Sequence, residues 1–364
     1  MTLSHLTDFR FFSIEAVATL RMSHLEFFPN CQTTAMGIMP HTDIERALEV
    51  ALSLDIPFWP QLPRVSYFED MYVQALENFP GVRIDPDHHK IRFDLPLFYE
   101  ELPSYFLKAD DPQTFQLTRE FSLVYHRFLD EDLSRYPAIR GQMISPISLG
   151  LKVVDQDQKA IIYHEEVREV LFDFIQRKVN HQYKELKAKN PCAFVWVDDP
   201  GLELIFTAFS GYNEAQAKGD LDRFLNGLKG PGGIHLCAKP DWDFLLKSKL
   251  DILSFDSFNC GAMVIHYASL REFFNRGGVI SWGIVPTYTE LLEKETIDSL
   301  MERLESFWEV LSQKGVHREQ VLRQSLLAPA TCNLMNPDKE QTVEKAFGML
   351  RELSRKIRLK YGLS

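Results

Sequence analysis

Short apolar runs that alternate with longer amphipathic segments constrain the fold of this 364-residue chain more than any other feature. Eight runs have the length and the apolar or β-branched composition of strands. They cover residues 33–39, 56–62, 142–149, 193–198, 233–237, 251–256, 278–285 and 325–332. Most are followed by a segment with helical periodicity, such as residues 166–189 and 296–315. Strands that alternate with helices in this number predict an α/β fold, a (β/α)8 TIM barrel rather than an open sheet.

The spacing of these runs also predicts the domain organisation. Residues 63–135 separate the second and third strand candidates and contain a hairpin pattern and a helical pattern. We predict that this segment is an insertion over the barrel mouth rather than a separate domain. The expected organisation is an N-terminal extension over residues 1–30, followed by a single barrel domain over residues 31–364. No Gly-rich phosphate loop follows any strand, which argues against a nucleotide-binding fold.

Composition excludes several classes of partner. The net charge of -11 argues against nucleic acid, because phosphate binding needs an excess of Lys and Arg. No apolar run reaches the roughly 18–20 residues of a membrane helix, and the N-terminus is a poor signal peptide. The five cysteines are an odd, sparse set, which is not typical of a disulfide framework. We therefore expect a cytoplasmic protein with reduced thiols and neither a nucleic-acid nor a membrane partner.

Polar residues at the ends of the predicted strands point to a metal site. Barrel enzymes carry their chemistry where strands end and the following loops begin. His235 and Cys237 close the fifth predicted strand, and their i, i+2 spacing directs both side chains to one face. Asp198, Asp256 and Cys332 close the fourth, sixth and eighth. Two thiols, an imidazole and a carboxylate suit tetrahedral Zn2+.

Each of these residues also has an ordinary structural interpretation. A His-x-Cys pair can be two neighbouring core residues, and Cys332 alone can be a small buried apolar residue. Asp256 can be the N-cap of the next helix, and Cys260 competes with it as a ligand from the following turn. Asp241 or Asp243 can orient His235, although helix capping is the simpler explanation for both. The coincidence of donors at several strand ends favours the metal.

Three of these segments resemble the zinc-binding stretches of cobalamin-independent methionine synthase. They are "HLC" at 235–237, "ILSFDSFNC" at 252–260 and "APATCNL" at 328–334. The resemblance implies zinc ligation by His235, Cys237, Asp256 and Cys332, with Asp256 where that family has Glu. The segment "WVDDPGL" at 196–202 resembles the Asp-Glu-Pro motif of the family. It implies that Asp198 is a catalytic residue that holds the substrate amino group.

The first-strand region resembles the family more loosely. The segment "TTAMGIMPHTD" at 33–43 resembles a Gly-Ser-Phe-Pro loop that contacts the amino-acid substrate, which implies substrate binding by Gly37 and Ile38. Gln61 stands where a Glu engages substrate and folate. Ile38 replaces the loop Ser, Gly283 stands in place of a catalytic His, and residues 143–153 lack the Trp that stacks on folate. The sequence of several segments resembles the short single-barrel members of the superfamily shared with uroporphyrinogen decarboxylase more closely than it resembles the full-length synthases.

The resemblance predicts a zinc-dependent methyltransferase of methionine biosynthesis that passes a methyl group to a thiol, with homocysteine as the expected acceptor. The expected donor is methyltetrahydrofolate or a methylcorrinoid, and the eroded folate features favour the corrinoid, carried by a corrinoid protein. One alternative is transfer to another thiol such as coenzyme M, against which Asp198 argues because it suits an ammonium group. Others are a metal-free, uroporphyrinogen decarboxylase-like tetrapyrrole-binding protein, and a non-enzymatic barrel with structural zinc or an amino-acid sensor.

Overall fold

The computed structural model describes residues 25–206, 212–237 and 239–363, and its strands form a mostly parallel sheet. The strands are β1 Gln32–Thr33, β2 Val82–Asp85, β3 Lys90–Phe93, β4 Ile139–Ile144, β5 Ala193–Asp198, β6 Gly232–Leu236, β7 Ile252–Phe255, β8 Val279–Val285 and β9 Ser325–Pro329. Seven of them form one parallel sheet in the order β1-β9-β8-β7-β6-β5-β4. The other two, β2 and β3, pair as an antiparallel hairpin.

Helices follow the strands of the parallel sheet, as the alternating pattern predicts. They are α1 Ile44–Leu52, α2 Met71–Ala75, α3 Leu95–Lys108, α4 Leu123–Asp130, α5 Pro146–Lys152, α6 Glu165–Lys189, α7 Glu214–Asn226, α8 Trp242–Lys247, α9 Ser257–Val264, α10 Ala268–Asn275, α11 Thr289–Leu292, α12 Ile297–Gln313, α13 Arg318–Arg323 and α14 Gln341–Tyr361. In the described ranges, no helix has the length and apolar character needed to span a membrane. The predicted α/β class is confirmed.

The two edge strands of the sheet, β1 and β4, both contact the predicted second strand. The backbone N–H of Ile56 donates to the Thr33 carbonyl at 2.9 Å, and that of Arg140 donates to the Pro57 carbonyl at 3.0 Å. Isolated parallel bridges also join Gln61 to Ile38 and Phe58 to Arg140. The sheet is therefore a curled, TIM-like half-barrel, and its closure into eight regular strands stays a prediction.

The two faces of the sheet belong to two different apolar clusters. On β5, Val195 and Val197 belong to the large core that includes the helices, whereas Phe194 and Trp196 belong to a second cluster. This division follows the two-residue period of a strand. A Cβ on Gly233 would lie 2.1 Å from Trp196 Cδ1, so the glycine leaves room for the indole. The second cluster fills the concave interior of the sheet, and it also contains Cys332.

Several predicted elements differ from the structure. The strand predicted at 142–149 is wrong in its second half, because β4 ends at Ile144 and α5 begins at Pro146. Ser145 caps α5 by accepting a hydrogen bond from the Ser148 N–H at 3.1 Å. In the segment 63–135 the hairpin is present, but α3 was not predicted. That this segment is an insertion stays a prediction, and residues 1–24 of the predicted extension lie outside the described residues.

Candidate metal centre

Four potential metal donors meet where β5, β6 and β9 end. Asp198 is the last residue of β5 and is paired in register with His235 of β6. Cys237 follows the last residue of β6, and Cys332 lies three residues beyond the end of β9. One ligand atom from each of the four residues lies within 4.8 Å of the others. The parallel sheet thus brings together residues that are up to 134 positions apart in the sequence.

The two thiols and the imidazole are in direct contact. The Cys237 and Cys332 sulfurs are 3.2 Å apart, and His235 Nε2 lies 3.0 Å from Cys237 Sγ. The Cys332 backbone N–H also donates to Cys237 Sγ at 3.4 Å. The hydrogen bond from the Cys332 thiol lowers the pKa of Cys237 well below its ordinary value; burial opposes this shift and His235 supports it. These contacts favour the thiolate form at Cys237 over that at Cys332.

The His235 ring is held on both of its nitrogens. Its Nδ1 lies 2.9 Å from Ser254 Oγ, so that Nε2 faces Cys237. The ring also stacks on Trp196, with centroids 6.5 Å apart and an interplanar angle of 6°. Burial lowers the pKa of His235, but the negative charge of Cys237, the hydrogen bond to Cys237 and the negative charge of Asp198 together leave this pKa above its ordinary value. Sequence analysis missed Ser254, although a lone polar residue in the apolar run 252–255 was a usable signal.

Asp198 is a buried carboxylate that lacks a full set of partners. Its Oδ1 has no hydrogen-bond partner among the described residues. Burial raises the pKa of Asp198 to about 7, with His235 opposing the shift and Cys237 adding to it. The next residue, Asp199, accepts a hydrogen bond from Ser148 Oγ at 2.5 Å, outside the donor group. The strand alternation thus directs one of the two adjacent acids to the donors and the other to α5.

Asp256, the predicted fourth ligand, lies outside this donor group. It caps α9, and its Oδ1 accepts from the Asn259 N–H at 3.0 Å. Its Oδ2 accepts from Asn259 Nδ2 at 2.7 Å, so both carboxylate oxygens are engaged. Burial raises the pKa of Asp256, the Asn259 hydrogen bonds lower it, and the nearby negative charge of Cys237 raises it. Asp241 is likewise a helix cap, since it accepts from the Phe244 N–H at 3.2 Å.

The predicted substrate-binding residues lie beside the Cys332 loop. The Ile38 N–H donates to the Cys332 carbonyl at 2.8 Å, and the Leu334 N–H donates to the Ile38 carbonyl at 3.0 Å. A Cβ on Gly37 would lie 2.8 Å from Leu334 Cδ1. The Gln61 N–H donates to the Gly37 carbonyl at 3.1 Å. Gly37, Ile38 and Gln61 thus form one hydrogen-bonded wall next to the donor group.

The Gln61 side chain is tied to the segment 63–135. Its Nε2 donates to Gln74 Oε1 at 3.0 Å, and Gln74 Nε2 donates to Glu69 Oε2 at 3.1 Å. Glu69 is buried and also accepts from the Val124 N–H at 3.1 Å. Burial raises the pKa of Glu69 to about 7. Sequence analysis found Gln61 but missed Gln74 and Glu69, because neither residue belongs to a recognisable motif.

Tyr72 on α2 is a further neighbour of the site that sequence analysis missed. Burial raises the pKa of its phenol, and the negative charge of Asp198 adds to this effect. Gly283, which the resemblance to methionine synthase places where that family has a catalytic His, has no space for a side chain. A Cβ there would lie 2.5 Å from the Phe255 carbonyl oxygen, which is backbone and cannot rotate away.

The donor set fits a zinc ion. Zinc prefers sulfur and nitrogen ligands with an occasional carboxylate, in four-coordinate sites. His235, Cys237 and Cys332 supply one nitrogen and two sulfurs within reach of one ion, and Asp198 adds Oδ1, which has no hydrogen-bond partner in the described ranges. An acceptor oxygen buried without a donor is costly, and a bound cation removes that cost.

Comparisons with known proteins support the fold. No family model and no curated protein sequence matches the chain. A methyltransferase from Methanosarcina mazei has a TM-score of 0.55 and 13% identity, over 91% of this chain and 94% of its own. A B12-independent methionine synthase from Shewanella sp. W3-18-1, in complex with selenomethionine, has a TM-score of 0.55 and 15% identity, over 92% of this chain and 99% of its own. At these identities, the chain shares a TIM-like α/β fold with both proteins.

Proposed function

We propose that this protein is a zinc-dependent methyltransferase that passes a methyl group to a thiol, with homocysteine as acceptor and methionine as product. The observation that carries the proposal is the convergence of Asp198, His235, Cys237 and Cys332 within 4.8 Å. The likeness in fold to two methyltransferases, one of them a methionine synthase, supports methyl transfer. We also propose a closed eight-stranded barrel, because residues 56–61 contact both edge strands of the sheet.

The proposed ligands are His235, Cys237 and Cys332 together with one carboxylate. When bound, Zn2+ holds a thiol as a thiolate near neutral pH, against an ordinary thiol pKa of about 8.5, and so provides the nucleophile. Ser254 holds His235 so that Nε2 faces the donors. Such a partner on the second ring nitrogen fixes the tautomer and orientation of a ligating histidine.

Two assignments compete for the fourth, carboxylate ligand. Asp198 belongs to the donor group and Asp256 does not, which favours Asp198 on geometry. The resemblance to methionine synthase assigns ligation to Asp256 and leaves Asp198 to pair with the substrate ammonium. Zinc content separates them, since only the variant of the true ligand, Asp198→Asn or Asp256→Asn, loses zinc.

The chain positions its substrates for an in-line transfer. The acceptor sulfur attacks the methyl carbon as the bond from that carbon to the donor breaks, and orientation of the two is the main contribution of the protein. We propose that Gly37, Ile38 and Gln61 line the substrate site. The replacement at Gln61 and the absence of a folate-stacking Trp in residues 143–153 favour a methylcorrinoid, whereas likeness to a B12-independent enzyme favours methyltetrahydrofolate. A corrinoid protein, if it is the donor, docks beside residues 63–135.

Metal analysis combined with a methyl-transfer assay tests the proposal. The purified wild-type protein is expected to contain stoichiometric zinc and to methylate homocysteine from methylcobalamin or methyltetrahydrofolate. Cys332→Ala is expected to lose both properties. Zinc in the wild type without transfer to homocysteine or coenzyme M would contradict the proposed reaction and leave the metal site intact. A wild-type protein without zinc, expressed with zinc in a reducing cytoplasm, would contradict both.

A further inference from the structure

Arg140, on β4, is a buried cation that has no acidic partner in the part of the chain that the structure describes. The described residues contain three fully or almost fully buried Lys or Arg side chains. Lys178 has Glu77 at 3.8 Å and Arg168 has Asp220 at 3.2 Å, but no carboxylate of the described ranges lies within 4 Å of Arg140. Burying a charge without a compensating partner is among the most costly arrangements in a folded protein. Something other than an adjacent carboxylate must therefore offset this charge.

Backbone carbonyls and aromatic rings hold the Arg140 guanidinium in the concave interior of the sheet. It donates to the Ala35 carbonyl and, at 3.0 Å, to the Gly141 carbonyl. Its central carbon lies 4.6 Å from the centroid of Trp196 and 5.1 Å from that of Phe58. These contacts fix the position of the group but supply no formal negative charge.

The same indole connects Arg140 to the metal centre. Trp196 contacts Arg140 and also stacks on His235. Asp198 lies on the same face of β5 as Trp196. Burial lowers the pKa of Arg140 to about 9, and the negative charge of Asp198 opposes this shift. At this value Arg140 stays protonated at neutral pH. Its positive charge thus faces the donor group through one aromatic ring.

The charge of the occupied site matches that of Arg140. Two thiolates, one carboxylate and a neutral imidazole around a divalent ion carry one net negative charge. We propose that Arg140 is the positioning residue that compensates this charge and so raises the affinity of the donor group for zinc. The inference rests on the proposed zinc site. It adds to that site a residue that is not a ligand and acts on the ligands through Trp196.

Zinc affinity of the metal-stripped full-length protein, measured by competition with a chromophoric chelator, tests this role. Arg140→Met is expected to bind zinc about 10- to 100-fold more weakly, as for other outer residues of metal sites. Arg140→Lys, which keeps the charge, is expected to regain most of the affinity. The rise in Tm on adding zinc is expected to be smaller for Arg140→Met, because that rise depends on affinity. Neither readout requires turnover.

Arg168→Met is the matched control, since it also removes a buried arginine, on α6 and paired with Asp220. It is expected to lower stability and to keep wild-type zinc affinity. Wild-type zinc affinity in folded Arg140→Met would overturn the inference and leave the proposed zinc site intact. Equally weak zinc binding by Arg140→Lys and Arg140→Met would do the same. If Arg140→Met does not fold, Arg140→Lys against Arg140→Gln decides in the same way. Failure of the wild type to bind zinc would overturn the proposed site and the inference with it.

Discussion

Two sides of the site, adjacent in space, are built in opposite ways. The donor side consists of Asp198, His235, Cys237 and Cys332, and the amide side of Gly37, Ile38 and Gln61. On the donor side, ligand atoms of four ionisable residues lie within 4.8 Å of one another, and Asp198 Oδ1 has no hydrogen-bond partner among the residues that the structure describes. On the amide side, the backbone is hydrogen-bonded and Gln61 belongs to a chain of neutral amides. The donor side suits a cation, whereas the amide side suits an uncharged part of a substrate.

The largest expected effect is on the donor side. Cys332→Ala removes one of two sulfurs, and we expect loss of bound zinc and of methyl transfer to the detection limit. Cys260→Ala is the control, because Cys260 is also buried but lies on α9, outside the donor group. Elemental analysis and the homocysteine assay measure both variants. Equal zinc content in the two variants would show that Cys332 is not a ligand and would contradict the proposed contrast between the two sides.

The second-largest effect is expected from the two acids at strand ends, whose variants are expected to lose activity to different extents. Asp198→Asn removes a charge from within the donor group, and we expect about a 100-fold loss of activity, typical for removal of a preorganised polar group. Asp256→Asn keeps the helix cap, because Asn also caps helices, and is expected to lose tenfold at most. Matched kinetics of the two variants test this order. A larger loss in Asp256→Asn would support the ligand set implied by the resemblance.

Glu69, which is connected to Gln61 of the amide side through Gln74, is expected to make the stability of the protein depend on pH. Burial raises its pKa from 4.5 to about 7, so the folded state holds this proton more tightly than the unfolded state. Stability from this group is present below pH 4.5 and is lost as pH rises through 7. Between pH 5 and 8, wild type is expected to lose about 2 kcal/mol relative to Glu69→Gln. Urea unfolding at both pH values measures this, and parallel curves would contradict it.

The smallest effect on the metal is expected from Gln61→Ala. The change leaves the buried Gln74 Oε1 without its donor, at a cost of about 1–3 kcal/mol of folding stability. Zinc content is expected to stay at the wild-type level, while KM for a substrate rises. Thermal unfolding, elemental analysis and steady-state kinetics give the three values. Loss of zinc from this variant would show that the two sides act as one unit.

Much of the fold was predictable from local patterns. The strand 193–198 and the hairpin were predicted because their apolar runs are bounded by turn residues. The strand predicted at 142–149 was wrong in its second half, because an apolar run looks the same on a strand and on a buried helix. Ser145 followed by Pro146 was the available signal of a helix start.

The site was predictable only as far as strand ends define it. His235, Cys237 and Cys332 meet because parallel strands end at one edge of the sheet. Asp198 is the last residue of a buried strand and Asp256 directly follows one. Their positions in the sequence therefore do not show which of the two belongs to the donor group. The separation depends on Asn259, which engages both oxygens of Asp256.

X-ray absorption at the zinc edge of the wild-type protein tests the central claim most directly. A site made of His235, Cys237, Cys332 and one carboxylate predicts two sulfur neighbours at about 2.3 Å and two nitrogen or oxygen neighbours at about 2.0–2.2 Å. A spectrum with only nitrogen and oxygen neighbours, or a protein that takes up no zinc, would contradict it.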